Sequence, residues 1–494
     1  MEKENVKLIF KESQEGRVAY SLPKTTIETK DWLGMCRRKD LDLPQVSERQ
    51  IAGHYQNLAE LNFCPYSEMD PLGSCTMKYN PPLMESIASL PGFLGLHPYQ
   101  DESTIQGSLE AMYFLDLYLS EIAGMAKFTL QPSAGAHGES TGIMIGGAYF
   151  RHKGEKRSKV LAPDSAHGTN PASVANLGFE YEQVNSNERG WVDLADLEER
   201  MTEDVAIFML TNPNTYGLFD PNIDKIAEII HRKGGLLYYD GANLNAIMGK
   251  CRPGDLGFDI VHINLHKTFG TPHAMGGPGA GPTGVVEKLK DFLPVPTVEK
   301  KGEKYTLNYT VTHTIGKVKA FYGNIAVLKK AYAYILILGP EGLRKVSETA
   351  VVHANYMQEK LKKRGFEFPY GDQHCMHECV MRHENIDSLG HLLSERFKKL
   401  QATIHFPQAY FYMIEPTETE TKESLDEYIE SMIDADRALR DPKAMEELEK
   451  GRIYTPILKV NTRKGMARPC LIEKEENDAS HDMTKLRERA LRDC

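Results

Sequence analysis

Blocks of apolar and polar positions alternate through the middle of the chain, and they predict strands and helices in turn. Between two apolar runs, Ile223, Ile226 and Ile230 recur at helical spacing, and Asp220 with Pro221 predicts the start of that helix. Strand, helix and strand joined by short links predict a mainly parallel sheet covered by helices, an α/β fold. The runs that predict buried strands are Val205–Leu210, Leu236–Asp240 and Asp259–Asn264.

The same patterns predict three parts along the chain. The first is rich in turns and short helical stretches, the second carries the strand and helix alternation, and the third resembles a smaller lobe that ends in a charged tail. We therefore predict an N-terminal arm (1–95), a large domain (96–335) and a small C-terminal α+β domain (336–494).

Composition excludes several classes of protein. The 494 residues are 41% hydrophobic and 26% charged, which is ordinary for a globular protein with a large core. A formal charge of −10 disfavours binding to nucleic acid or to an anionic membrane. No apolar stretch approaches the roughly 20 residues that a bilayer requires, and the first residues lack a signal-peptide pattern. Eight scattered cysteines favour reduced thiols, so we expect a cytoplasmic enzyme.

Polar residues at the ends of the predicted strands are the first candidates for chemistry, because ligands bind beyond the carboxyl ends of parallel strands. Lys267 follows the strand at 259–264, and a buried lysine has a lowered pKa and can form a Schiff base; the alternative is a lysine paired with a local carboxylate. Asp240 ends another strand, where it could cap a helix or hold the protonated nitrogen of a pyridine ring. Asn212 follows the strand at 205–210.

Small residues precede a fourth candidate, His137. The segment Ser133–Glu139 predicts a helix start that exposes backbone N–H groups to a phosphate, although a tight turn has the same pattern. The glycine-rich run Gly270–Gly284 predicts irregular structure near the site. Together these features indicate pyridoxal 5′-phosphate (PLP). They are a lysine, an acidic partner, a helix start that can bind phosphate, and a histidine able to stack on a ring.

These motifs resemble the PLP-dependent glycine decarboxylases, the P-proteins of the glycine cleavage system, and most of all the lysine-bearing second subunit of the two-subunit form. The likeness extends over most of the chain to about residue 433. Its most specific stretches are Leu8–Pro23, Asp70–Pro81, Gln131–Glu139, Asp164–Ser173, Thr211–Asp220, Asp240–Gly249 and Asn264–His273.

The resemblance implies a fold-type-I PLP-dependent transferase architecture and a role for each matching residue. Lys267 would bind the cofactor covalently, Asp240 would pair with the pyridine nitrogen, Ala242 would pack beneath the ring and His137 would stack on it. The phosphate would be held by Ala134, Gly135 and Ala136, with Gly323 and Asn324 contributed by a neighbouring chain. The substrate side and the cofactor hydroxyl would be lined by His167, Thr169 and Asn212. Either His167 or His266 would transfer protons.

The implied reaction is decarboxylation of glycine with transfer of an aminomethyl group to the lipoyl arm of a carrier, the H-protein. The implied partners are a homologous first subunit or a second copy of this chain, together with lipoylated H-protein. Ala274 and Met275 replace two glycines that the family usually has after the lysine. That departure leaves open a diverged PLP enzyme that acts on another amino acid without a carrier. A non-catalytic structural subunit is the remaining alternative.

One further cluster predicts structure rather than metal binding. Residues 374–379 contain two histidines, two cysteines and a glutamate, but they lack the separated ligand pairs of zinc sites. Alternation along a strand would send neighbouring ligands to opposite faces. We therefore predict a strand of the small domain here, and no metal site.

Overall fold

A computed structural model describes residues 8–19, 23, 26, 43–60, 62–64, 66–273, 279–397, 399, 400, 402–404 and 411–450. Two compact units divide the chain. The larger comprises Pro65–Leu393 and Lys399–Asp441, and the other comprises Met1–Cys64, Ser394–Lys398 and Pro442–Cys494. The candidate site lies in the larger unit, and the predicted boundaries near 95 and 335 stay predictions.

The strands and helices follow one another in an α/β order through most of the chain. The strands are β1 (Lys127–Thr129), β2 (Lys159–Pro163), β3 (Glu180–Val184), β4 (Val205–Thr211), β5 (Leu236–Gly241), β6 (Ile260–Ile263), β7 (Thr283–Val285), β8 (Thr297–Lys301), β9 (Lys304–Asn308), β10 (Cys379–Arg382), β11 (Thr403–Ile404) and β12 (Phe411–Ile414). The helices are α1 (Glu48–Ala59), α2 (Pro82–Ala88), α3 (Pro91–Leu94), α4 (Gln106–Ala123), α5 (Gly135–Lys153), α6 (Thr169–Asn176), α7 (Leu194–Arg200), α8 (Ile223–Arg232), α9 (Leu265–Thr268), α10 (Ile325–Lys362), α11 (Ile386–Phe397), α12 (Lys422–Leu439) and α13 (Pro442–Lys450).

A seven-stranded sheet forms the centre of the larger unit, in the order β1-β7-β6-β5-β4-β2-β3. The pairs β2–β3, β2–β4, β4–β5 and β5–β6 are parallel, whereas β7 runs antiparallel to both of its neighbours. Every residue of β4 and β5 is buried, which is typical of a parallel sheet covered on both faces. The predicted α/β architecture is confirmed, and so are the three predicted strands, which are β4, β5 and β6.

Two local predictions were wrong. Asp220 does not cap α8, which begins only at Ile223, because its carboxylate accepts the N–H of Asn222 at 2.9 Å and that of Val192 at 2.9 Å. The glycine-rich segment is not irregular to its end, because Thr283 pairs with His262 and starts β7. The edge of β6 provides the hydrogen-bond partners that this strand needs.

A row of glycines brings α5 unusually close to the sheet. Gly138, Gly142 and Gly146 are four residues apart and therefore share one helix face. A Cβ atom on Gly142 would lie 2.2 Å from Cε2 of Tyr238, and one on Gly146 would lie 2.7 Å from Cδ1 of Ile207. Because these glycines have no side chains, α5 can lie this close to strands β4 and β5.

We expect Gly142→Ala to lower the free energy of unfolding by about 1–3 kcal/mol, because the added methyl group overlaps the Tyr238 ring. Helix propensity alone would favour alanine by about 1 kcal/mol. Gly107→Ala in α4 is the matched control, since no described atom lies within 4 Å of a Cβ there. Urea unfolding of both variants checks the prediction, and equal effects would contradict it.

A second, smaller sheet with the order β10-β12-β11 is antiparallel throughout. The segment before α2 joins this sheet, because Leu72 forms a bridge with Ile414 and the N–H of Glu415 donates to the carbonyl of Pro71 at 3.1 Å. Gly339, with φ of 60°, interrupts α10 directly before Pro340. None of the helices in the described ranges has the length and apolar character needed to cross a membrane.

Candidate active site

The predicted site residues gather at the carboxyl ends of the parallel strands. Each of these strands is followed by a turn or helix that carries one or more of the predicted site residues, as the α/β topology requires. His137 follows β1, His167 and Thr169 follow β2, Asn212 follows β4, Asp240 ends β5, and His266 and Lys267 follow β6.

Lys267 lies in the short helix α9 with 9% of its surface exposed. Its Nζ donates to the carbonyl of Ser74 at 2.6 Å. Beside it, Lys78 Nζ donates to the carbonyl of Thr268 at 3.0 Å and pairs with Glu418 at 2.6 Å. The segment around residues 74–78 therefore contacts the last two residues of α9, Lys267 and Thr268, and holds the Lys267 amine inside the site.

Asp240 is the buried carboxylate of the site. Its Oδ1 accepts the N–H of Ala242 at 3.0 Å and lies 3.3 Å from Nε2 of His262. Burial raises the pKa of Asp240, but His262, Lys267 and the N–H of Ala242 outweigh burial and hold the pKa below its ordinary value. Asp240 is therefore a carboxylate at neutral pH, able to face a positive charge.

A second buried carboxyl group, Glu139, lies beside Asp240 and was not predicted as a site residue. It accepts the hydroxyl protons of Thr169 at 2.7 Å and Ser173 at 2.9 Å. With its amide nitrogen turned towards both carboxyl groups, Asn170 lies 3.2 Å from Asp240 Oδ2 and 3.3 Å from Glu139 Oε2. Burial, reinforced by the charge of Asp240, raises the pKa of Glu139 to about 7. Its place in the motif Gln131–Glu139 was the available signal.

We expect Glu139 to make stability depend on pH. Folded Glu139 keeps its proton up to about pH 7, whereas the unfolded residue loses it near 4.5, so rising pH destabilises the fold between these values. The free energy of unfolding of Glu139→Gln, relative to the natural chain, should rise by roughly 3 kcal/mol over that window and level off above it. Urea unfolding across the pH range checks this, and a difference independent of pH would contradict it.

The first turn of α5 is suited to binding an anion. Ala134 precedes the helix and supplies no side-chain hydrogen bond to it, so among the described residues no cap competes for the first N–H groups. Gly135 has no room for a side chain, because a Cβ would lie 2.5 Å from Oδ1 of Asn264. Ala136 is exposed. A helix start of this kind suits a phosphate.

Gly323 and Asn324 lie near this turn within the same chain. The amide of Asn324 donates to the carbonyl of Gly279 and lies 3.5 Å from the carbonyl of Ser133. Gly323 has φ of +103°, and a Cβ there would lie 2.3 Å from the carbonyl oxygen of Leu130. Their contribution from a neighbouring chain stays a prediction.

The histidines differ in their surroundings. Burial, with the nearby charges of Lys267 and His273, lowers the pKa of His266 to about 3, so this ring stays neutral. His167 is exposed, and its Nδ1 accepts the N–H of Thr169 at 3.1 Å, which leaves the proton of the neutral ring on Nε2. His137 Nδ1 accepts the N–H of Ser133 at 3.1 Å, and burial lowers the pKa of His137.

Asn212 and Ala242 hold the strand ends in place. Asn212 Oδ1 accepts the N–H of Asp220 at 2.8 Å, and its backbone carbonyl accepts the hydroxyl of Tyr239 at 2.9 Å. Ala242 fixes Asp240 through the N–H contact described above. The side chain of Asn212 is thus used within the chain, and its role towards a cofactor hydroxyl stays a prediction.

Strained backbone lies next to Lys267. Ser74 and Thr76 have φ of 61° and 47°, in the left-handed region that residues other than glycine rarely adopt. Each such residue costs of order 1–3 kcal/mol, so the surroundings must hold the segment in place. The backbone N–H of Ser74 donates to Glu378 at 2.9 Å, and that of Thr76 donates to Glu415 at 3.0 Å. Sequence reasoning identified neither glutamate as part of the site.

The cluster at residues 374–379 differs from its prediction. The strand begins only at Cys379, because the N–H of Met376 donates to the carbonyl of Gly217 at 2.7 Å and draws the preceding segment out of the sheet. His377 and Glu378 are fully buried and lie with Glu415, all candidate ligand atoms being within 4.8 Å of one another. Ala274 and Met275 lie outside the described residues.

Comparison with known proteins agrees with this geometry. Residues 33–432 match the family described as "Glycine cleavage system P-protein". The chain is 52% identical over 464 residues to the probable glycine dehydrogenase (decarboxylating) subunit 2 of Caldanaerobacter subterraneus subsp. tengcongensis, covering 90% of this chain and 95% of that protein. It is 51% identical over 440 residues to the protein of the same description from Pyrococcus horikoshii, covering 86% and 88%.

Solved structures show the same fold. A glycine decarboxylase (P-protein) of the glycine cleavage system in inhibitor-bound form has a TM-score of 0.71 at 21% identity, covering 82% of this chain and 93% of that one. A NifS-like protein has a TM-score of 0.59 at 14% identity, covering 74% and 100%. These likenesses confirm the fold-type-I architecture. With the match over 33–432 and identities above one half to full-length relatives, the chain belongs to the glycine cleavage system P-protein family.

Proposed function

We propose that this chain is the lysine-bearing subunit of a PLP-dependent glycine decarboxylase, which releases CO₂ from glycine and passes the aminomethyl group to a lipoylated carrier. The observation that carries the proposal is the meeting of a buried lysine and a buried carboxylate at one sheet edge, opposite an uncapped helix start. The names of relatives that share half of the sequence supply the substrate.

The residues present fit PLP. Lys267 would hold its aldehyde carbon, Asp240 its ring nitrogen and the first turn of α5 its phosphate. Among the described residues, buried Asn264 Oδ1 and His266 Nδ1 have no hydrogen-bond partner, and both lie next to these elements. Such atoms are costly to leave unsatisfied, which favours a polar occupant at this place. When bound, PLP supplies a pyridinium ring that accepts the electron pair left by the departing carboxylate.

Three side chains of the site would each have a defined role in the reaction. Asp240, ionised at neutral pH, would keep a positive charge on the ring nitrogen of the bound cofactor. The carbonyl of Ser74 accepts from Nζ of Lys267 at 2.6 Å, so it would hold this amine in the site when the substrate amine takes its place on the cofactor. His167 is the better candidate for proton transfer, because its ring is exposed and presents the N–H of Nε2, whereas His266 is buried and its pKa is lowered to about 3.

The carrier and the sister subunit are part of the proposal. The relatives are described as subunit 2, which favours a homologous first subunit as partner, and lipoylated H-protein is the acceptor that the reaction needs. A second copy of this chain remains the alternative partner.

Exchange of labelled carbon between bicarbonate and the carboxyl group of glycine tests the proposal. The chain would be loaded with PLP and assayed with the homologous first subunit and lipoylated H-protein. We expect exchange that depends on both additions. Turnover of another amino acid without the carrier, and none with glycine, would instead support the diverged enzyme. Failure to bind PLP would reject both.

A further inference from the structure

We propose that Glu378 and Glu415 form a buried pair of carboxyl groups that carries one proton in total, fixes the segment Ser74–Thr76 and thereby positions the amine of Lys267. The inference rests on the proposed function only in taking Lys267 as the cofactor lysine. Glu378 and Glu415 act here as positioning residues, since they contact the segment and not the reacting atoms.

The hydrogen bonds define a direct chain from the pair to Lys267. Glu378 Oε2 accepts the N–H of Ser74 at 2.9 Å. Glu415 accepts the N–H of Thr76 at Oε2, 3.0 Å away, and the hydroxyl proton of Thr76 at Oε1. The carbonyl of Ser74 then accepts from Lys267 Nζ at 2.6 Å. Both glutamates have no exposed surface, so water cannot replace these contacts.

The backbone requires such a restraint. Ser74 and Thr76 are the two non-glycine residues in the described ranges with positive φ. Left to itself, this segment would relax to ordinary φ values and rotate the Ser74 carbonyl away from Lys267. Gly73 adds a packing restraint, because a Cβ there would lie 2.5 Å from Cβ of Met413 in β12.

The charges around Glu378 and Glu415 indicate that one of the two carboxyl groups is protonated. His377 Nε2 lies 3.7 Å from Glu378 Oε1 and 3.7 Å from Glu415 Oε1, and burial lowers the pKa of His377, so a neutral ring faces the carboxyl groups. Burial, followed by the charge of Glu415, raises the pKa of Glu378 well above its usual range. Lys267 and Lys78 are the cations that act on this cluster, and both have acceptors of their own.

The two glutamates should therefore respond differently to the same substitution. Glu378 Oε1 accepts no hydrogen bond in the described structure, so it is the oxygen that can carry the proton. In Glu378→Gln, an amide group replaces this neutral carboxyl group and keeps the oxygen that accepts from Ser74. In Glu415→Gln, an NH2 group replaces the oxygen that accepts the hydroxyl proton of Thr76, so the hydroxyl has to turn and accept, and the two contacts that hold Thr76 are weakened.

Hydrogen–deuterium exchange of the peptide covering residues 70–78 is the primary experiment, because it reports how firmly the segment is held whether or not the cofactor is bound. We expect exchange to accelerate about tenfold or more in Glu415→Gln and Glu378→Ala, and less than about twofold in Glu378→Gln. Asp259→Asn is the matched control: Asp259 is a buried carboxylate that pairs with His231 and Lys288 at the start of β6, and its loss should leave this peptide unchanged.

PLP affinity, read from the visible absorbance of the bound cofactor, is the second measurement. It should weaken about tenfold in the two variants with faster exchange and stay near that of the natural chain in Glu378→Gln. Thr76→Val removes the hydroxyl donor while keeping the side-chain shape, and it should give an intermediate increase in exchange. This variant keeps the proposal testable if Glu415→Gln does not fold.

The outcomes separate the inference from the proposed function. Equal exchange of the 70–78 peptide in every variant would overturn the positioning role while PLP binding by the natural chain still stood. Absence of PLP binding by the natural chain would reject the function, but the exchange pattern would still decide the role of the pair. A stoichiometric divalent cation in the purified protein, lost in Glu378→Gln, would overturn the protonated pair in favour of a metal held by His377 and the two glutamates.

Discussion

Lys267→Ala is expected to lower the rate of glycine–bicarbonate exchange by at least about 10³-fold, because no other amine replaces a covalently acting lysine. The variant should also lose the visible absorbance of the covalently bound cofactor. Its fold should persist, since the Lys267 ammonium has the carbonyl of Ser74 as its one hydrogen-bond partner in the described structure. Exchange assays and absorbance spectra on the same preparation check both effects.

Lys399→Ala serves as the control for loss of a buried lysine. Lys399 is 8% exposed and pairs with Glu68 and Glu427, away from the strand ends that carry the site. We expect this variant to be less stable and yet to retain its absorbance and exchange. Equal loss of activity in both variants would mean that Lys267 acts only through stability.

Asp240→Asn is expected to reduce the same exchange rate by about 10²- to 10³-fold, the effect of removing one partner from a buried charged pair. An amide keeps the size of the side chain, but it cannot hold a positive charge on the ring nitrogen, and it leaves His262 without its anionic neighbour at 3.3 Å. PLP should still bind through Lys267 and the start of α5. Rates at saturating PLP therefore separate this chemical effect from weaker binding.

The control again comes from the same sheet. Asp259→Asn removes a buried, paired carboxylate at the opposite ends of the strands, so it should lower stability with little change in rate. If Asp240→Asn retained the full rate, the role of Asp240 at the ring nitrogen would be rejected.

Local patterns predicted the fold and some of the residues that the structure brings together at the candidate site. β4, β5 and β6 were readable because continuous apolar runs identify strands buried on both faces. Asp240 and Lys267 followed from their places at strand ends. Glu139 was not predicted because its pKa is raised to about 7 only in the folded chain, by burial and then by the charge of Asp240, about one hundred residues away.

Glu378 and Glu415 were not predicted as site residues for a related reason. Their partners Ser74 and Thr76 lie about three hundred residues earlier, and no periodicity links a strained turn to the carboxyl groups that hold it. The positive φ values of Ser74 and Thr76 were equally unreadable, because neither residue type signals that conformation. Contacts of this range become visible only in three dimensions.

The separation of 339 residues between Thr76 and Glu415 has a consequence for biosynthesis. The strands of the central sheet, with the strand ends that carry Asp240 and Lys267, are all translated before the second glutamate. Until residue 415 has been made, Thr76 lacks the carboxyl group that anchors it, so this turn reaches its final form only late in synthesis.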